Sequence, residues 1–177
     1  MFKLFKPNAP QNIVAMCLYE EVVKQARQSI FYSELKVPDT PDGRYDMIMI
    51  HAFLLLYRLK KDHRATATIS QTVFDLLFED MDKNLREMGF GDVGVSNRVK
   101  DMAKAFYGRI AAYEDGLSCA GDQLETAIKR NVYRNTSVAQ EKIAKLCDYI
   151  RGEADNLAAQ STKELLDGKL VFRNPKY

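Results

Sequence analysis

The chain has no tryptophan, only two histidines, three cysteines and five prolines in 177 residues, and each scarcity removes a class of function. Cys17, Cys119 and Cys147 are odd in number and widely spaced, with no C-x-x-C pair and no histidine nearby, so neither a disulfide framework nor a zinc site is expected. They read as reduced, mostly packed thiols of a reducing compartment. His51 and His63 have no glutamate three residues before them, so the Glu-x-x-His pair of bundled di-metal sites is missing. No G-x-S-x-G elbow and no G-K-[ST] phosphate loop occurs, which leaves no catalytic nucleophile and no cofactor cradle to nominate. The most apolar run, Met47 to Leu59, falls short of the roughly 20 residues that cross a bilayer. It reads instead as a helix buried on most sides. Charge is also nearly absent as a net quantity: 26 Lys plus Arg face 24 Asp plus Glu, giving +2 and no general attraction to DNA or other polyanions.

What is present is helical periodicity. The prolines stand at 7, 10, 38, 41 and 175, so the interval from Asp42 to Asn174 is free of them. A single all-α, irregular bundle of six to seven helices is expected over residues 11–177, after a tail at 1–10. Ala15, Leu18, Tyr19, Val22, Ala26 and Ile30 predict a first helix from about Gln11 to Tyr32. Pro38 to Gly43 predicts a rigid double turn, and a second helix from Arg44 to about Lys61. Asp62 to Thr68 reads as polar and mobile.

Ser70 then caps a third helix with Phe74, Leu77, Phe78, Met81, Leu85 and Met88 as its stripe, closed by Gly89 and followed by Gly91 and Gly94 in a loop. Ser96 caps a fourth through Phe106, Ile110 and Leu117, and Asp122 a fifth. Ser137 with Gln140 makes a capping box for a sixth. Thr162 opens a final turn near Gly168, after which Leu170 to Phe172 folds back as an apolar clasp.

Candidate contact residues lie in four places. Asp75, Glu79 and Asp82 share one polar helix face with Arg86 at its end, in a stretch from Ala65 to Asp92 whose net charge is −4. Asp42, Gly43 and Arg44 form the exit of the proline turn, where Arg44 either pairs with a neighbouring carboxylate or presents the loop to a partner. Gly108 costs about 1 kcal/mol relative to alanine inside a helix, so either close packing or a groove floor between Tyr107 and Arg109 explains it. Lys129, Arg130 and Arg134 with Tyr133 form a basic and aromatic cluster. That cluster serves a helix C-terminus, an acidic client, or RNA or lipid phosphate.

Four strings carry a resemblance: VPDTPDGRYDMIMIHAFLLLYRL at Val37 to Leu59, SQTVFDLLFEDMDKNLREMGFGDVGV at Ser70 to Val95, VKDMAKAFYGRIAAYE at Val99 to Glu114, and AIKRNVYR at Ala127 to Arg134. In that order, across about Tyr19 to Arg134, the chain resembles the ubiquinol-cytochrome c chaperone family. The resemblance implies a non-enzymatic assembly factor, without metal or cofactor, that holds newly made cytochrome b for the bc1 complex. For mitochondrial members it further implies a small partner protein and contact with the ribosome. The absence of a presequence predicts a bacterial form, cytoplasmic or peripheral at the inner membrane, where Met1 to Lys6 could touch lipid. Met81, Met88 and Met102 would then supply an adaptable apolar surface. A rival reading is an RNA-binding or ribosome-associated module acting through Arg58 to Arg64 and Lys129 to Arg134.

Overall fold

The structure, a computed structural model, describes residues 10–119 and 121–175. Among the described residues there are helices and no strands, and the helices assemble around one central element. That element, α3 (Pro41–Lys60), packs against its neighbours on most sides and buries thirteen of its residues, as its continuous apolar run predicts. It starts three residues earlier than expected. Thr40 accepts a hydrogen bond from the Gly43 amide at 3.2 Å and Pro41 takes the first helical position, where its missing N–H costs nothing.

The first helix is shorter than predicted, and Phe31 is the reason. On an unbroken helix Phe31 would lie about five whole turns beyond the exposed Ile13, on the same outward face. The chain instead ends α1 (Pro10–Ala26), turns through Arg27 to Ser29, and restarts as the single turn α2 (Ile30–Ser33). Phe31 is thereby buried against His51 and Tyr149, and the Tyr32 hydroxyl closes the break by donating to the Ala26 carbonyl. Ile30, expected in the inner stripe, is only half-buried.

Three predicted caps are displaced. The segment expected to be mobile is the first turns of α4 (His63–Glu87), so Ser70 lies inside the helix. Polar character misled there because Thr66, fully buried, donates its hydroxyl to the Leu59 carbonyl at 2.7 Å. Ser96 likewise lies inside α5 (Asp92–Ser118), whose first turn carries the favourable acid Asp92 and includes Gly94. Of the glycines expected in the loop only Gly89 uses positive φ, at +86°. Ser137 and Gln140 make no capping box: α7 (Gln140–Ala159) has Ala139 at its cap, and the Gln140 amide reaches Glu125 instead. A capping box does form at α8 (Thr162–Leu166), between Ser161 and Glu164.

Between α5 and α7, α6 (Gln123–Ile128) runs into a π-helical turn at Lys129–Tyr133. Asp122 stands at the α6 cap position without a side-chain hydrogen bond. The chain then closes as expected at its far end. Leu170 is buried, Phe172 sits edge-on to His51, and Arg173 pairs at 2.8 Å with the fully buried Glu153 of α7.

Candidate functional site

A cleft of about 1120 Å³ opens at the surface between the α1–α3 connection and the α4–α5 pair. One wall is apolar and sulfur-rich, with Met81 and Leu85 from α4, Met88 at the C-cap of that helix, and Met102 from α5. These methionines are the ones the sequence marks beside the acidic helix. Met88 is 53% exposed, whereas Met81 reaches the cleft from a buried position. Ile48 and Tyr45 of α3 form the inner side, and Arg27, Asp39, Asp42 and Arg44 stand at the rim.

The rim is built by the proline turn. Asp42, in the first turn of α3, is exposed where an acid favours the helix dipole. Gly43 is buried against Pro38, so close that an added Cβ would stand 1.9 Å from the Pro38 carbonyl oxygen. Arg44 does form a carboxylate pair, but with Asp39 at 2.6 Å. The guanidinium hydrogen bond holds the Asp39 carboxyl below its ordinary range.

Tyr45 carries an anomaly. Its Oη is buried and has no hydrogen-bond partner among the described residues, and burial pushes its pKa upward. Next to it, Asp46 is almost fully buried and receives Arg109 at 2.7 Å and Arg134 at 2.8 Å. Burial raises the Asp46 carboxyl to about 6 against the opposing pull of the two guanidinium groups. Arg109, nominated as a groove flank, is thus spent on tying α5 to α3.

The other nominated residues scatter. Asp75, Glu79, Asp82 and Arg86 lie on a face of α4 turned away from the cleft; Asp75 accepts from Gln71, and Arg86 bridges Asp82 and Asp92. Tyr107 is 60% exposed and lies 5.6 Å from the Phe74 ring. Nothing within the chain approaches Gly108, so close packing does not account for it. The close approach occurs at Gly116, where an added Cβ would be 2.8 Å from Leu124. Arg130 is exposed, but Tyr133 is a core residue, 1% exposed, with its hydroxyl donating to the Leu35 carbonyl.

The basic stretch Arg58 to Arg64 is also largely consumed by structure. The Arg58 guanidinium is buried on the Leu157 and Gln160 carbonyls and on Asp62, and Lys60 pairs with Glu114. His51 has the hydrogen-bonded core role expected of it, between the Met47 carbonyl at 2.7 Å and the Tyr149 hydroxyl at 2.8 Å. Burial lowers its pKa to about 4, so it is neutral. No helix among the described residues is long and apolar enough to cross a membrane. Met1 to Lys6 lies outside them.

Comparison with known proteins gives a consistent set of matches. The family described as ubiquinol-cytochrome C chaperone matches residues 33–172, well beyond the Arg134 limit of the recognisable strings. Ubiquinol-cytochrome-c reductase complex assembly factor 1 of Xenopus laevis is 25% identical over 162 residues, covering 91% of this chain and 81% of that protein. The Homo sapiens assembly factor 1 is 22% identical over 91% of this chain, and the mitochondrial protein CBP3 of Saccharomyces cerevisiae 24% over 89%. The chain spans only 54% and 48% of those two relatives. The crystal structure of the Cbp3 homolog from Brucella abortus superposes with a TM-score of 0.84 at 36% identity, covering 93% of this chain and 91% of that one.

Proposed function

The chain belongs to the ubiquinol-cytochrome C chaperone family, and we propose that it acts in assembly of the ubiquinol-cytochrome c reductase complex by holding newly made cytochrome b in the methionine-walled cleft. An assembly chaperone is what the family and its relatives' names support. The cytochrome b contact is the further step, and one observation carries it. Met81, Met88 and Met102, brought together from two helices, give an apolar wall that adapts to irregular partners, beneath a rim of both charge signs.

Residues 11–177 act as one helical unit in this reading. The apolar wall supplies affinity, while Arg27, Arg44 and Asp42 orient the client. The outer acidic face of α4 with Arg86, and the exposed Tyr107 and Arg130, remain available to a second contact such as a small partner protein or the ribosome. The work would take place in the cytoplasm, at the face of the inner membrane where the client is inserted.

Co-purification of cytochrome b from cells making the complex tests this directly. Met88→Glu places a charge on the exposed wall and is expected to cut capture at least about tenfold, a loss of roughly 1.4 kcal/mol, with helicity retained. Charge reversal at Asp75 and Glu79 should weaken capture less. Unchanged capture by Met88→Glu, with loss on reversal of Asp75 and Glu79, would move the client to the outer face of α4.

A further inference from the structure

Two cations hold backbone conformations that residues with side chains seldom adopt. Lys36 and Arg134 are the two non-glycine residues at positive φ among the described residues, at +58° and +47°. They are far apart in sequence, yet each follows a partner in one tertiary contact, the Tyr133 hydroxyl donating to the Leu35 carbonyl at 2.8 Å, so both emerge on the side of the fold where that contact is made. The π turn adds two more cations there. It directs Asn131, Val132 and Tyr133 inward and leaves Lys129 and Arg130 exposed.

Lys36, Lys129 and Arg130 have no ion pair among the described residues, while the half-exposed Arg134 shares Asp46 with Arg109. From Thr126 to Gln140 the chain contains no acid. Asp46, which receives Arg134 from beneath, already has Arg109 as its own counter-ion, and Glu34 is the acid nearest to Lys36 in sequence. Lys36 also stands three residues before Asp39, which with Thr40 lines the cleft.

We propose that Lys36, Lys129, Arg130 and Arg134 form a docking surface for anionic phospholipid headgroups, which sets the mouth of the cleft against the bilayer. The orientation rests on the client-holding reading of the cleft; the lipid contact itself rests on charge and backbone geometry alone. Lipid phosphate fits better than RNA because the cluster's aromatic, Tyr133, is buried and offers no ring on which a base could stack. Exposed cations need only a negatively charged plane, and each unpaired one contributes about fivefold to binding such a surface.

Flotation of the intact chain with vesicles tests the proposal, using phosphatidylcholine alone or in equal parts with phosphatidylglycerol. Binding is expected to the anionic vesicles only, and to be released by salt. Lys36→Gln with Arg130→Gln should weaken it about 25-fold. Lys36→Gly should weaken it about fivefold while relieving the positive φ, so that loss of binding there is not loss of fold. Equal binding to neutral vesicles, variants that float like the parent, or preference for single-stranded RNA over anionic vesicles would each overturn it. Met88→Glu separates the two readings. It should float normally while losing client, whereas the Lys36 and Arg130 variants should keep client capture in detergent; loss of vesicle binding by Met88→Glu alone would assign the lipid contact to the cleft and refute the patch.

Discussion

Adding one methyl group at Gly43 should be among the costliest small changes in this protein. An alanine Cβ there stands 1.9 Å from the Pro38 oxygen and 3.0 Å from its carbonyl carbon, so the turn and the helix must separate by more than an ångström. Neither yields easily. Pro38 and Pro41 fix their own φ, and the Thr40 hydroxyl holds the Gly43 amide at 3.2 Å. Overpacking of this kind costs about 1–3 kcal/mol, and losing the cap about 1 more. The better helix propensity of alanine returns about 1 kcal/mol. The net is about 2 kcal/mol, which for a chain of this size lowers the melting temperature by about 4–8 °C. Thermal and urea unfolding followed by circular dichroism measure it, with Gly108→Ala as the counterpart. Nothing lies within 4 Å of a Cβ at Gly108, so that change should stabilise by about 0.5–1 kcal/mol. If Gly43→Ala melts at or above the parent, the close approach of Pro38 does not govern the turn. Because Asp42 and Arg44 flank Gly43 at the cleft rim, the same variant should also capture client less well.

The pH response should show two opposed contributions. His51, lowered from 6.5 to about 4, favours the unfolded chain as pH falls between those values, because only that chain takes up the proton. Asp46, raised from 3.8 to about 6, does the reverse: the folded chain holds the proton first, and the resulting stability is lost as pH rises through about 6. Urea midpoints of the parent should therefore change little over about pH 4–6, whereas Asp46→Asn should lose stability steadily on acidification; parallel profiles would refute the assignment. Tyr45→Phe removes a buried hydroxyl that has no partner and should stabilise the chain by about 1 kcal/mol in the same unfolding assay. A client that satisfies that hydroxyl would be held more weakly by the variant, and a Tyr45→Phe protein less stable than the parent would show that Oη is satisfied after all.

The helices were legible because their cause is local. A stripe such as Phe74, Leu77, Phe78, Met81 and Leu85 recurs at the helical period, and a proline-free interval gives the period room to persist. Gly89 could be read as a stop for the same reason, since its +86° φ suits only a residue without a side chain. Caps were less legible. Ser70, Ser96 and Ser137 are good local caps that the chain leaves unused, because burial of Thr66, Val95 and Ile143 fixes where each helix must begin.

The candidate site was legible only in pieces. Asp42, Arg44, Met81, Met88 and Met102 were each visible as residues of interest, but Arg27, Ile48 and Tyr45 complete the cleft and carry no motif. Arg109 and Tyr133 looked like surface contacts because exposure cannot be inferred from residue type.

Composition and period alone settled the helical class of this chain, since that property depends on neighbours a few residues apart. Tertiary packing decided which charges are spent inside and which remain for a partner. Asp46 draws Arg109 and Arg134 across 63 and 88 residues, and a contact of that span is set by how helices stack rather than by any local pattern.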